Sequence, residues 1–381
     1  MEVTWNLGVN QYLFSCMLSI RDPRVRGRAK YPLIHIIFIT LCALISGCDT
    51  WKSIELFGRE KKKWLSRYLD LRFGIPTHYT FARVFGLIDP LEFEKCLMLW
   101  MKCVTNLIAG DVISIDGKTQ RGSAHVLGNK KANHIVSAYS AKEEMVLGNI
   151  KTPTKTNEIK AIPMLLKKLD IRGKIITADA MATQKGIVNL IREKQGNYVL
   201  ALKKNHKRFY KKVNRLFDCA HDYQYEGMVY KDIQTKDYGH GRIEERVYTA
   251  LPMMYLAKFK KGWRDLQTFI QVCSTRYLAN GVIEIATHYY LSSLPLKAFK
   301  KICFAIREHW QIENGLHYKL DVGLHEDACP IYRGHAAENL GYMRRIVLKL
   351  LNDETSCSDG IALKRIKAAL SVRYLRKVIG F

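Results

Sequence analysis

The feature that most narrows the fold is a series of short, nearly uninterrupted apolar runs between residues 111 and 202, spaced by helical periodicity. Val112-Ile113-Ser114-Ile115 is too short for a helix and apolar on both sides, the pattern of a strand buried on both faces. His134–Tyr139 and Met145–Ile150 follow as two more strands, with the polar turn Ser140–Glu144 between them. Thr156-Asn157-Glu158 opens a helix carrying Ile162, Leu165, Leu166 and Leu169, and Gly173 ends it. Lys174–Ala178 reads as another buried strand, and a helix near Ile187–Ile191 leads to a strand at Tyr198–Leu202. Three strands, a helix, a strand, a helix and a strand predict a mixed α/β sheet.

The flanks have other textures. Residues 1–105 carry helical spacing, with Leu33–Ile45 as a core helix that stops at Gly47. Residues 203–295 alternate polar and aromatic segments and read as a β-rich insertion after a first part of the core at 106–202. From 296 to 381 the chain turns helical again and is expected to complete the core. At 381 residues one hydrophobic core rarely suffices, so several domains are expected.

Composition excludes several classes. A 48% hydrophobic content supplies enough apolar surface to offset chain entropy, so a disordered chain is not expected. The ten cysteines never stand as Cys-x-x-Cys, which argues against a zinc ribbon and for a reduced protein. Leu33–Ile45 falls short of a membrane span, and it begins too far from Met1 for a signal peptide. No membrane association and a cytoplasmic location are therefore expected. With 61 Lys and Arg against 35 Asp and Glu, the net charge of +26 points to a polyanionic partner, most often nucleic acid.

Gly117-Lys118-Thr119 after an apolar strand resembles a phosphate-binding loop, but Val112 stands where that loop needs its first glycine. Asp116 says more. It ends one buried strand as Asp179 ends another, and α/β sheets place ligands at such C-terminal strand ends. Glu313 supplies a third acid, on a helix expected over 297–320 with Ile306, Trp310, His317 and Leu320 on its face. Carboxylates are hard ligands that favour Mg²⁺ or Mn²⁺. Two such ions about 4 Å apart suit in-line phosphoryl displacement.

These residues sit in blocks that resemble the Rhs-linked H-repeat-associated proteins, bacterial insertion-sequence transposases of the DDE superfamily. The blocks are Asp22-Pro23-Arg24, Tyr31-Pro32-Leu33, Gly74-Ile75-Pro76, Ile115–Thr119 with Arg121-Gly122-Ser123, and Lys155-Thr156-Asn157-Glu158-Ile159. Asp179-Ala180-Met181 and His240-Gly241-Arg242-Ile243-Glu244 follow, then His309–Asn314, Leu320-Asp321-Val322 and Glu326-Asp327. The resemblance implies an RNase H-like mixed-sheet core with an inserted β-rich subdomain and an N-terminal helical domain that binds DNA or is accessory to it. It implies Asp116, Asp179 and Glu313 as the catalytic and metal-holding residues, with two Mg²⁺ or Mn²⁺ ions. Related transposases carry Tyr, Arg, Glu and Lys around the third acid; here Ile306, His309 and Leu320 stand at those spacings. Arg307 and Lys319 become the substitute phosphate ligands.

The expected activity is cleavage of element ends and strand transfer by a freed 3′-OH. The partners are double-stranded terminal inverted repeats and target DNA, with a homodimer pairing two ends at the nucleoid. Lys118, Lys203, Lys204, Lys207, Arg208, Arg242, Arg307 and Lys319 are the candidate DNA-binding residues, and Phe209 and Tyr210 could stack an unpaired base. A second basic tract, Lys364 to Lys377, would lie opposite Ile366, Leu370 and Leu375. The rivals are an inactive DNA-binding remnant and a zinc hydrolase using His309, Glu313 and His317.

Overall fold

A computed structural model of the chain describes residues 11–25, 27–124, 131–152, 157–239, 242–259 and 261–381. Helices α1 (Gln11–Leu18), α2 (Leu33–Ile45), α3 (Trp51–Glu60), α4 (Lys62–Leu65), α5 (His78–Leu87) and α6 (Pro90–Val104) come first. Strands β1 (Val112–Gln120), β2 (Asn133–Ser140) and β3 (Met145–Thr152) follow. Then α7 (Glu158–Lys168), β4 (Ile175–Ala178), α8 (Lys185–Glu193) and β5 (Asn197–Leu202) alternate. Next are α9 (Lys207–Asp222), β6 (Lys231–Gly239), β7 (Arg242–Pro252), β8 (Thr268–Leu278) and β9 (Ile283–Ser292). Helices α10 (Phe299–His309), α11 (Ala336–Asp353), α12 (Ile361–Leu370) and α13 (Val372–Ile379) close the chain.

The nine strands form one sheet in the order β3-β2-β1-β4-β5-β9-β8-β7-β6. β1, β2 and β3 pair antiparallel, while β4 runs parallel to β1 and β5 parallel to β4. That 3-2-1-4-5 order, an antiparallel meander followed by parallel strands with helices on both faces, is an RNase H-like core. β9 pairs antiparallel with β5, so the chain leaves the core after β5 and returns alongside it. Strands β6–β9 thereby extend the core sheet.

Alternation along the strands divides the core. Val112, Ile175 and Val199 pack on one face with Phe299, Ile302, Ala305 and Ile306 of α10. Ile113, Ile115, Ile176, Ala178 and Leu200 lie in the larger core that includes α7 and α8. Burial on both faces is why these strands read as continuous apolar runs. Helix α2 is apolar nearly all round, with Ile36, Ile37, Phe38, Ile39 and Leu41 fully buried, and such a helix needs neighbours on every side. Both chain ends supply them, α1 and α3 from the N-terminal side and α11, α12 and α13 from the C-terminal side. Among the described residues no helix is long and apolar enough to cross a membrane.

The helix expected over 297–320 is not uniform. It is α-helical only to His309, and Ile312–His317 and Lys319–Gly323 wind as π-helix. A π turn closes i→i+5, so residues three and four apart drift off a common line. Ile306 and Leu320 are buried as the spacing suggests, whereas Trp310 and Glu313 are exposed.

Candidate active site

The parallel register builds the first half of the site. Ser114 pairs with Thr177 and Ile115 with Ala178, so the next residue on each strand is an acid, Asp116 beside Asp179. Adjacent strands stand about 4.8 Å apart, which makes these two carboxylates neighbours. Asp179 also caps a single turn, its Oδ1 accepting from the Met181 and Ala182 amides at 2.9 and 3.3 Å. That cap fixes the carboxylate's orientation and leaves Oδ2 without a protein partner among the described residues.

Two residues earlier on the same strand faces, a hydroxyl pair receives the end of α10. Thr177 Oγ1 donates to Ser114 Oγ at 3.0 Å and bonds His309 Nδ1 at 3.1 Å. Ser114 Oγ reaches the Glu308 carbonyl at 3.4 Å. Burial, helped by the charge of Lys203, pushes the His309 imidazole down to about 4, so it is neutral at physiological pH. These bonds bring the π-helical segment, and Glu313 with it, toward Asp179, just past the end of β4, and toward Asp116. Asp116 lies in the middle of β1 and not at its end as the sequence suggests, because β1 continues to Gln120 in its pairing with β2. Arg307, expected as a phosphate ligand, pairs with Asp237 at 3.2 Å.

Electrostatics brings the acids together. The Asp116 carboxyl is pushed up to about 7, first by burial and then by the charges of Asp179, Glu158 and Glu313, against a hydrogen bond from the Gly117 amide. Glu158 is a site neighbour that strand-end reasoning misses, because it opens a helix in the Lys155–Ile159 block. It is buried, accepts from His134 Nε2 at 2.6 Å, and His134 Nδ1 bonds the Thr119 hydroxyl at 2.8 Å. Gly117 makes room for that pair, since a β-carbon there would lie 2.6 Å from His134 Nε2 and closer still to Glu158 Oε1. His317, expected only as a zinc ligand, has its Nδ1 3.6 Å from Asp116 Oδ2, and its Nε2 is buried without a hydrogen-bond partner among the described residues.

The donor set fits a hard divalent cation in kind. Asp116, Asp179 and Glu313 offer carboxylate oxygens, and the raised Asp116 carboxyl registers negative charge that no Lys or Arg offsets by ion pairing among the described residues. In the conformation seen, no three His, Cys, Asp or Glu side chains among the described residues lie close enough to surround an ion. The zinc reading fits less well. His309 spends its Nδ1 on Thr177, and the π turns break the i, i+4, i+8 line that would have joined it to His317.

The cationic candidates divide. Lys203, Lys204, Lys207 and Arg208 are exposed, as are Lys211, Lys212 and Arg215, and none of them forms an ion pair among the described residues. The expectation that Lys118 binds DNA is corrected: only 6% of its side chain is exposed, and its Nζ lies 2.7 Å from both Asp321 and Asp327 and 3.5 Å from Glu326. Burial works against the ammonium, but those carboxylates raise its pKa above the ordinary lysine value. Lys319 is turned to Glu144 and Asn352, each at 3.1 Å. Arg242 and Arg307 line a cavity of about 430 Å³, with Arg246, Arg276, Tyr290 and Trp310.

Two further expectations change. Phe209 is buried and stacks on Phe259, so it is a core residue and not a platform for bases. Lys364 and Arg365 are buried donors to backbone carbonyls, while Ile366 and Leu370 face solvent. Long-range partners on α11, at residue 323 and in the N-terminal helices reverse the side that local amphipathicity suggests. Lys155, Thr156, His240 and Gly241 lie outside the described residues.

Comparison with known proteins gives consistent matches. The family described as "Transposase DDE domain" matches residues 109–350, and the one described as "DDE_Tnp_1-associated" matches residues 14–101. "Putative transposase YncI" of Escherichia coli O157:H7 is 39% identical over 97% of this chain and 94% of its own. "H repeat-associated putative transposase YhhI" of Escherichia coli strain K12 is 37% identical over 94% of this chain and 95% of its own. A cryo-EM structure of the piggyBac transposase synaptic complex with hairpin DNA aligns with a TM-score of 0.45 at 11% identity, over 98% of this chain and 79% of that one.

Proposed function

The chain belongs to the transposase DDE domain family, and on that premise we propose that it cuts the ends of an insertion element and joins them to target DNA. The observation that carries this reading is the parallel register of β1 and β4, which puts Asp116 next to Asp179 with Glu158 and Glu313 in electrostatic reach. Asp116, Asp179 and Glu313 would hold the divalent cations. A pair of Mg²⁺ or Mn²⁺ ions supplies an activated nucleophile and stabilisation of the leaving oxygen. The protein's own part is orientation: the Asp179 cap fixes one carboxylate, and the His309–Thr177–Ser114 bonds fix the approach of Glu313. Lys203, Lys204, Lys207 and Arg208 neutralise phosphates of the double-stranded ends and target. Pairing two ends calls for a homodimer, working at the nucleoid in the cytoplasm.

The test is direct. Purified protein nicks DNA carrying the element's ends only with Mg²⁺ or Mn²⁺, and Asp116→Ala abolishes nicking while leaving DNA affinity in place. An Asp116→Ala protein that cuts as well as wild type overturns the reading. A second reading, a DNA-binding protein that does not cut, has one observation on its side: no three candidate ligands among the described residues are drawn tightly together. Salt-sensitive binding by the wild type with no nicking in either metal selects it.

A further inference from the structure

β1 meets the segment 308–327 through every second residue of one face. Ser114 Oγ donates to the Glu308 carbonyl at 3.4 Å, and Asp116 Oδ2 lies 3.6 Å from His317 Nδ1. Lys118 Nζ lies 2.7 Å from Asp321 Oδ1 and from Asp327 Oδ1. Gln120 Nε2 donates to Glu326 Oε1 at 2.9 Å. Four alternate positions on one strand thus meet successive points along one strap, and Glu313 lies between the first and the last of them.

The strap needs such fastening. π-Helix is rare and appears mostly as single turns, so two consecutive stretches, Ile312–His317 and Lys319–Gly323, depend on tertiary support. At the near end that support is the neutral hydrogen bonding of Ser114, Thr177 and His309. At the far end it is ionic. Lys118 faces three carboxylates; the other cations paired with them there are Arg345, on α11, 3.0 Å from Glu326 Oε1, and the exposed Arg121, 3.7 Å from Asp327 Oδ2. Without the Lys118 charge, Asp321, Glu326 and Asp327 would crowd one partly buried place with too little compensation and push the strap away.

We propose that Lys118 is a positioning residue for Glu313: its ammonium anchors the far end of the π-helical strap and so sets where Glu313 stands relative to Asp116 and Asp179. The proposal rests on the reading of those three acids as the catalytic set. Lys118 itself touches neither DNA nor the reacting atoms. Its part is to set where the third carboxylate stands before substrate arrives.

The experiment uses the full chain with Lys118→Met, Lys118→Arg and Asp327→Asn. Amide hydrogen exchange on metal-free protein follows residues 312–323 against β4 and β5, and calorimetry follows Mn²⁺ binding without DNA. In Lys118→Met, exchange across 312–323 accelerates while β4 and β5 keep their protection. Mn²⁺ affinity falls about tenfold or more, the scale seen when the groups supporting metal ligands are removed. Duplex affinity stays within the error of wild type, and Lys118→Arg recovers part of the Mn²⁺ affinity. Where Lys118→Met fails to fold, Asp327→Asn gives the milder version of the same local loosening.

Unchanged exchange over 312–323 with unchanged Mn²⁺ affinity in Lys118→Met overturns the proposal. So does a lower melting temperature with Mn²⁺ affinity intact, which marks a merely structural lysine. Failure of the catalytic reading looks different, because wild-type protein then binds no Mn²⁺ and cuts nothing.

Discussion

Asp116 and Asp179 each stand one residue beyond the last paired position of two adjacent parallel strands, where Ile115 lies opposite Ala178. Their proximity is therefore a property of sheet register. It survives side-chain motion and would be lost by a one-residue slip of either strand, which turns that strand's acid to the opposite face of the sheet from its neighbour.

Asp116 gives a pH dependence with a defined sign. Its carboxyl titrates near 7 in the folded chain, above its ordinary value of 3.8, so ionising it opposes folding increasingly as pH rises from about 4 to 7. In chelator and without DNA, Asp116→Asn should be more stable than wild type above pH 7, by a few kcal/mol at most. The difference should close as pH falls toward 4. Thermal melts across pH measure it.

Glu326 carries the opposite sign. Although burial alone would raise it, Arg345, Lys118 and Arg344 hold the carboxyl down at about 2. Its contribution is present above the ordinary value of 4.5 and is lost as pH falls toward 2. Glu326→Gln should cost about 3 kcal/mol at neutral pH, as breaking a buried ion pair does. Urea melts at pH 7 and pH 3 should show the gap shrinking.

Two glycines on one stretch of chain should tolerate no side chain. Gly117→Ala drives a methyl into Glu158 and His134 and should cost about 1–3 kcal/mol, the range for overpacking. Gly122→Ala meets backbone instead, 2.7 Å from the Asp327 carbonyl oxygen and closer to that of Cys329, and should cost more because backbone yields less. Melting temperatures of the two variants rank them.

The unpaired cations after β5 should govern the salt dependence of DNA binding. Replacing Lys204, Lys207 and Arg208 by Ala should lower the slope of log K against log salt by about one for each phosphate no longer neutralised. Lys319→Ala should leave that slope unchanged, since Glu144 and Asn352 already occupy its ammonium. Binding titrations at several salt concentrations separate the two.

The sheet is legible in the sequence because burial on both faces writes itself as uninterrupted apolar runs, and the runs of β1 and β4 each end at an acid. The β5–β9 pairing is not, since nothing local ties Leu200 to Leu291. Lys118 shows why site reading fails at charges. Locally it follows Asp-Gly like a phosphate-binding lysine, yet its partners lie more than 200 residues away along the chain. α-Helical spacing puts Trp310 and Glu313 on the buried face; Glu313 lies in the π winding that departs from that spacing, and Trp310 stands exposed at the C-cap of α10. Lys364 and Arg365 repeat the lesson, because their buried carbonyl partners on α11, at Gly323 and in α2 leave no trace in the periodicity of α12.

Because β9 is sewn to β5, the excursion between residues 203 and 292 begins and ends on two adjacent, paired strands. Such a cassette can be lengthened, trimmed or exchanged at its far hairpins while its root stays put. Changes there leave the register of β1, β4 and β5, and with it the placement of Asp116 and Asp179, where it is.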